Sequence, residues 1–377
     1  MLVRGHLAYS RRGELLKLVI TNIYTFMKAV LGLENGHYYI GDGFGAEGQV
    51  CGEVVFSTQM LGYMEALTDP SYHGQLLTFT FPQIGNYGVD FNNFQSSRVF
   101  ARGLIVHELC EKPSADPTLR SYCETNGIMG ISGIDTRMLT VQVRETGTLQ
   151  GCLMIGTDDG EAAVTQARKA PPLREYDLIG EVSCPEMYHI PGSGKKIAVI
   201  DLGIKKNMRE SLVRRGYDVY VFPHNATPND IGVINPDALF ISSGPGDPIQ
   251  ATQAIKTVKE FIGDIPIFGI CMGNLICGLA LDGRTEKMKF GHRGGNQPIK
   301  CLDGMVTITS QNHGYIVDGE SLPEGCVVSY VNCNDGTLEG FEDPYLKMFS
   351  VQFHPEASAG PHDMQSRFFD GVIGRNI

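Results

Sequence analysis

Apolar and polar positions along the chain follow two different rhythms. From Met27 to about Gly156 the apolar runs are short, and Gly, Asp-Pro and Phe-Pro punctuate them. Val50–Thr58 and Gln75–Phe81 read as strands of this kind, and Gly151–Ile155 closes the region. Ala162–Lys169 reads as a helix, followed by the breakers Pro171-Pro172, Cys184-Pro185 and Pro191-Gly-Ser-Gly194. After Lys196 the rhythm changes. Ile197–Ile200, Tyr217–Phe222, Ala238–Ile241 and Ile265–Ile270 are continuous apolar runs suited to buried strands. Between them Asn207–Arg215 and Gln250–Ile262 carry helical spacing, and a further helix starts at Met272. Strand and helix alternating in this way predict a parallel-rich sheet with helices on both faces, whose chemistry sits beyond the carboxyl ends of the strands. The expected fold is therefore an α/β C-terminal domain joined to a β-rich α+β N-terminal domain. The expected divisions are 1–26 as an extension, 27–157, a linker over 158–194, and 195–377.

Composition narrows the function classes. The 377 residues are 42% hydrophobic and 19% charged, an ordinary globular mix. The net charge of −11 argues against a nucleic-acid or anionic-membrane binder. No apolar run is long enough for a transmembrane helix. Ten cysteines are scattered with no C-x-x-C pair and no secretory signal, which reads as reduced thiols in a cytoplasm. The first 26 residues are rich in Arg and lack a cleavage site, while Met27-Lys-Ala-Val looks like a fresh start. The native start is expected at Met27, the alternative being a short extra surface helix.

Two nucleotide-binding patterns fail on context. Gly43-Phe-Gly-Ala-Glu-Gly48 matches G-x-G-x-x-G, but a strand pattern follows it where a phosphate-binding helix is needed. Gly194-Lys195 precedes a strand instead of following one, and Lys196 replaces the magnesium-binding hydroxyl of a P-loop. No ATP site is read in this chain.

The chemistry concentrates at Gly269-Ile-Cys-Met-Gly273, between a strand and a helix. This is a nucleophile elbow with Cys271 in place of serine. The glycines permit the tight turn, and the following helix aims its N–H groups and positive dipole end at the sulfur. Taken alone, Cys271 could equally be a buried structural thiol. His354-Pro-Glu356 supplies the missing partners: in extended chain, i and i+2 share a side, so Glu356 can back the His354 imidazole. A structural histidine near a turn, or a metal site from His354, Glu356, His362 and Asp363, are the alternatives, the latter at odds with common ligand spacings. Gly244-Pro-Gly246 follows the third strand and can present an N–H towards the elbow. With Met272 N–H, Gly246 would form an oxyanion hole.

Together these segments resemble class I glutamine amidotransferases. The N-terminal half resembles the small-subunit family of carbamoyl-phosphate synthetases, through Gly52-Glu-Val-Val-Phe56, Leu67-Thr-Asp-Pro-Ser-Tyr72 and Gly133-Ile-Asp-Thr-Arg137. Lys289–Asn296, Ser310–Gly314 and Val351–Glu356 agree with it in order and spacing. The resemblance implies a glutaminase with a Cys271–His354–Glu356 triad. It implies that Ser71, Gly244, Gly246, Met272, Asn312, Gly314 and Tyr315 contact glutamine. It also implies a cytoplasmic partnership with a large subunit. That subunit binds ATP and magnesium, receives the ammonia through a channel, and makes carbamoyl phosphate for arginine and pyrimidine biosynthesis. No cofactor or metal is expected in this chain itself. Two positions depart from the family pattern: Leu275 replaces a glutamine that holds the substrate, and Ala359 replaces a proline. Leu275 keeps open a non-catalytic docking or regulatory subunit; an amidotransferase serving another synthase is a further alternative, opposed by the N-terminal half.

Overall fold

The computed structural model describes residues 27–377, so the expected extension over 1–26 lies outside the described residues. The first nine strands are β1 (Met27–Leu33), β2 (Tyr38–Gly45), β3 (Gly48–Ser57), β4 (Gln75–Phe79), β5 (Gln83–Ile84), β6 (Gly103–Ile105), β7 (Glu108–Leu109), β8 (Met129–Ser132) and β9 (Leu149–Ile155). Seven of them close a barrel in the order β1-β2-β8-β6-β4-β3-β9, while β5 pairs with β7 separately. Alternate side chains of the strands serve two apolar clusters, as a period of two requires. Leu31, Val54, Leu76, Ile131 and Leu153 share one cluster. Val55, Leu77 and Leu104 share the other with Tyr63 and Leu119 from the covering helices. The β-rich half is thus a closed barrel. Closure joins β1 to β9, more than 100 residues apart in the chain, through pairs such as Leu31 with Leu153.

Barrel closure also corrects the reading of all cysteines as free thiols. Cys51 on β3 lies directly opposite Cys152 on β9, and the two are joined as a disulfide. The two cysteines are 101 positions apart in sequence, so only the strand register reveals the pair.

Residues 158–194 carry structure of their own. The helix Gly160–Lys169 begins on an Asp159 cap and packs Ala163, Val164 and Ala167 inward beside the barrel. Further on, β10 (Tyr188–Ile190) adds an antiparallel edge to the second sheet. That sheet continues with β11 (Lys196–Asp201), β12 (Asp218–Pro223), β13 (Ala238–Ile241), β14 (Ile267–Ile270), β15 (Thr285–Cys301), β16 (Val306–Val317), β17 (Val327–Asn332), β18 (Leu338–Asp343) and β19 (Met348–Val351). Its ten strands run β10-β12-β11-β13-β14-β19-β18-β17-β15-β16. The five strands β12, β11, β13, β14 and β19 are mutually parallel. The remainder, from β19 to β16, is antiparallel. Helices cover both faces: Ala254, Val258 and Ile276 pack on one, Met208, Leu212 and Phe369 on the other. The antiparallel extension is a mixed-sheet feature beyond the expected parallel core.

The two sheets meet through polar anchors. Glu53 of the barrel is buried, pairs with Lys287 of β15 at 2.6 Å and accepts from Thr148 Oγ1 at 2.9 Å. Replacing Glu53 with Ala leaves Thr148 and Lys287 without this acceptor. The urea midpoint is expected to fall by an amount equivalent to about 1–3 kcal/mol. An unchanged midpoint would show that Glu53 does not anchor the junction.

Candidate active site

Cys271 stands between β14 and the helix Met272–Ala280, with φ 56° and ψ −104°. A non-glycine residue held there stores about 1–3 kcal/mol of strain, so the surroundings must enforce it. They do so by close backbone packing. A Cβ on Gly269 would lie 2.5 Å from the Gly273 carbonyl oxygen, and one on Gly273 would lie 2.2 Å from that of Ile241. The glycines flanking Cys271 are therefore a steric requirement of the elbow. The Cys271 thiol lies 3.6 Å from the Asn312 carbonyl oxygen.

His354 reaches this sulfur because β19 is the parallel neighbour of β14. Cys271 N–H donates to the Val351 carbonyl at 2.8 Å. Asn274 on the elbow helix donates to Gln352 Oε1 at 2.8 Å and accepts from Ser350 Oγ at 2.9 Å. These buried bonds lock the elbow helix to the strand that leads into His354. His354 Nδ1 lies 2.7 Å from Glu356 Oε1. Its Nε2 is buried, has no other hydrogen-bond partner and faces Cys271. The His-Pro-Glu segment is a turn, not the extended chain expected for it. His354 N–H pairs with the Ser310 carbonyl at 2.8 Å, and Ala357 N–H closes on the His354 carbonyl at 3.1 Å. The turn still brings the carboxylate behind the ring.

A residue absent from the sequence reading completes the group. Lys205, in the loop after β11, is buried with Nζ 2.9 Å from Glu356 Oε1 and donates to the Ala357 carbonyl at 2.9 Å. Burial would raise the Glu356 pKa, but Lys205 and then His354 hold the carboxyl down at about 2. Burial would lower the His354 pKa; Glu356 lifts it against the opposing Lys205 charge, Cys271 adds to the lift, and the net shift is upward. The ring is thus poised to hold a proton beside the sulfur.

A cavity of about 500 Å³ opens at Cys271 where barrel and sheet meet. Ser71, Gly244, Gly246, Met272, Asn312, Gly314 and Tyr315 all line it. His354 and Glu356 do not; they stand behind the sulfur. Met272 is the first helical residue, so its N–H belongs to the set without an intrahelical partner. Gly246 turns the loop after β13 with φ 87°. Asp69 of the barrel ties the wall together: Oδ1 accepts from Ser71 N–H at 2.9 Å, and Oδ2 accepts from the Asn312 amide at 3.1 Å. Ser71 Oγ is buried without a partner. Leu275 also lines the cavity, as an apolar wall. The weighed metal set around His354 and His362 does not assemble. Among the described residues the one trio placed to share an ion is His292, His313 and Glu339.

Comparison with known proteins shows the family. Residues 31–153 match the family model for the carbamoyl-phosphate synthase small chain, CPSase domain, and residues 198–373 match that for class-I glutamine amidotransferases. The carbamoyl phosphate synthase small chain of Methanosarcina acetivorans is 52% identical over 361 residues, covering 92% of this chain and 98% of the relative. That of Syntrophotalea carbinolica is 45% identical, covering 91% and 96%. That of Aquifex aeolicus is 44% identical, covering 91% and 98%. The chain belongs to the carbamoyl-phosphate synthase small-chain family. Lys205 and Asp69 are the residues of this candidate site that pattern reading passed over. Lys205 sits in a Lys-Lys pair that resembles a solvated helix start, and its one signal is its place after the carboxyl end of a parallel strand. Asp69 lies inside a quoted family segment but has no evident partner in sequence.

The buried carboxylate gives the protein a defined acid response. The Glu356 pKa falls on folding, so its contribution to stability is complete above the ordinary value of 4.5 and is lost as pH falls towards about 2. The stability gap between the parent chain and Glu356→Gln should narrow over that interval in urea titrations. A gap independent of pH would contradict the paired-carboxylate assignment.

Proposed function

We propose that the chain hydrolyses the side-chain amide of glutamine and supplies the ammonia to a carbamoyl phosphate-forming large subunit. The observation that carries this reading is the unpartnered His354 Nε2 facing Cys271, with Glu356 held 2.7 Å behind the ring. Cys271 Sγ attacks the amide carbon, and the oxyanion points to the N–H groups of Gly246 and Met272. His354 gives a proton to the departing ammonia as the C–N bond breaks, leaving a thioester on Cys271. Water, deprotonated by His354, attacks the thioester; glutamate leaves and the sulfur regains its starting state. Glu356 and Lys205 keep the ring oriented through both halves. In this reading Ser71, Asn312, Gly314 and Tyr315 hold the substrate. Ammonia passes through an internal channel to the partner, which contributes ATP, magnesium and bicarbonate chemistry. A cytoplasmic place in arginine and pyrimidine biosynthesis follows from the same reading.

Leu275 favours retaining the second reading, a docking subunit of an ammonia-dependent synthetase. The complex assayed with glutamine, ATP and bicarbonate separates the two. Cys271→Ala should abolish glutamine-dependent carbamoyl phosphate formation while leaving ammonia-dependent formation intact. Equal glutamine-dependent rates in parent and variant would establish the docking reading. Leu275→Gln should lower the KM for glutamine about two- to tenfold, the worth of one added hydrogen bond. An unchanged or higher KM would mean that this wall does not meet the substrate.

A further inference from the structure

A buried polar cluster that the triad does not use starts at the cavity wall with His313 and continues behind it. His292 on β15 and His313 on β16 are cross-strand partners, with ring centroids 5.1 Å apart and planes at 89°. Glu339 on β18 is fully buried, and its Oε1 lies 3.2 Å from His292 Nδ1 and 3.7 Å from His313 Nε2. Asp335, in the turn before β18, takes the other side of His292, with Oδ2 2.9 Å from Nε2. His292 is therefore gripped through both ring nitrogens by two carboxylates. His313 has its Nδ1 2.9 Å from the Tyr315 carbonyl, which accepts and cannot donate, so the ring carries its proton on Nδ1. That bond spans Gly314 and braces the stretch from Asn312 to Tyr315, all four residues of which line the cavity.

Two imidazoles and a carboxylate are also the donor set of a zinc site. The Asn332 amide nitrogen, however, sits against two of these three donors, 2.9 Å from Glu339 Oε1 and 3.2 Å from His292 Nδ1. Asn332 Oδ1 accepts from Asn334 N–H at 2.9 Å, so the amide is held against turning its oxygen inward. An N–H donor held against these two atoms competes with a cation for their lone pairs.

We infer that Glu339 is a positioning residue for the substrate wall: with Asp335 it clamps His292, whose ring backs His313, and His313 fixes the Tyr315 carbonyl and the Asn312–Tyr315 segment. The shape of that wall then depends on a carboxylate on β18 that does not line the cavity. The assignment rests on the amide-hydrolysis reading above, because the wall it positions is the one that receives glutamine.

The test is steady-state kinetics of the complex with the large subunit. Glu339→Gln keeps the side-chain shape and removes the charge. Its KM for glutamine should rise about tenfold with kcat within about twofold, since ground-state positioning is lost and the triad is not. Asp335→Asn, at the half-exposed end of the clamp, should raise KM in the same direction by a smaller factor, and serves if Glu339→Gln does not fold. Ammonia-dependent synthesis should stay at the parent rate in both. A lowered melting temperature with unchanged KM in either folded variant would mean a structural role only and overturn the assignment. So would a metal retained at one equivalent by the purified parent chain. Parent activity distinguishes the two levels: an active parent with unchanged variant KM sinks this inference alone, whereas a parent inert to glutamine sinks the amide-hydrolysis reading with it.

Discussion

The site depends on one constraint, the parallel pairing of β14 with β19. Two parallel neighbours end at the same edge of a sheet, so whatever follows each strand is delivered to the same place. Cys271 follows β14, and the His354 turn follows β19. The Cys271 N–H to Val351 carbonyl bond is the last rung of that pairing, and Asn274 repeats the link through side chains. The chain between the two strands contributes the antiparallel extension, which returns Asn312, Gly314 and Tyr315 to face the same sulfur. A long insertion between neighbouring strands thus builds the opposite wall without disturbing the pairing.

Charge is organised with similar economy. Glu356 and His354 are buried, as is Lys205, and three charged groups out of water are costly unless each meets a partner. Here the lysine meets the carboxylate, the carboxylate meets the ring, and the ring meets the sulfur. The same logic recurs behind the wall, where Glu339 and Asp335 enclose His292. Both clusters place a histidine under tension between opposite influences: burial presses its proton off, and the carboxylates hold the proton on.

The barrel contributes more than a covering surface. Asp69 reaches across to Asn312 and holds Ser71 in the same grip, while Glu53 pairs with Lys287. The cavity is a shared product of two units, and neither encloses it alone.

The sequence by itself determined the local features. Continuous apolar runs marked the parallel strands, helical spacing marked the helices at 206–213 and 252–261, and glycines around Cys271 marked the elbow. Each follows from interactions within a few residues, where period and steric demand are written directly in the chain. The pairing of His354 with Glu356 belongs here too, although a turn produces it and not extended chain. Only the tertiary structure decided the rest. Barrel closure and the Cys51–Cys152 bond depend on strand register across more than 100 residues, which no local pattern encodes. Lys205 looks like surface charge in sequence, because its partner lies 151 positions away and burial is a property of packing. Asp69 and Glu339 are ordinary acidic residues until folding sets them against Asn312 and His292. Periodicity reports what a residue's own element requires; the partners of a buried charge are chosen by the meeting of elements, and that choice exists only in three dimensions.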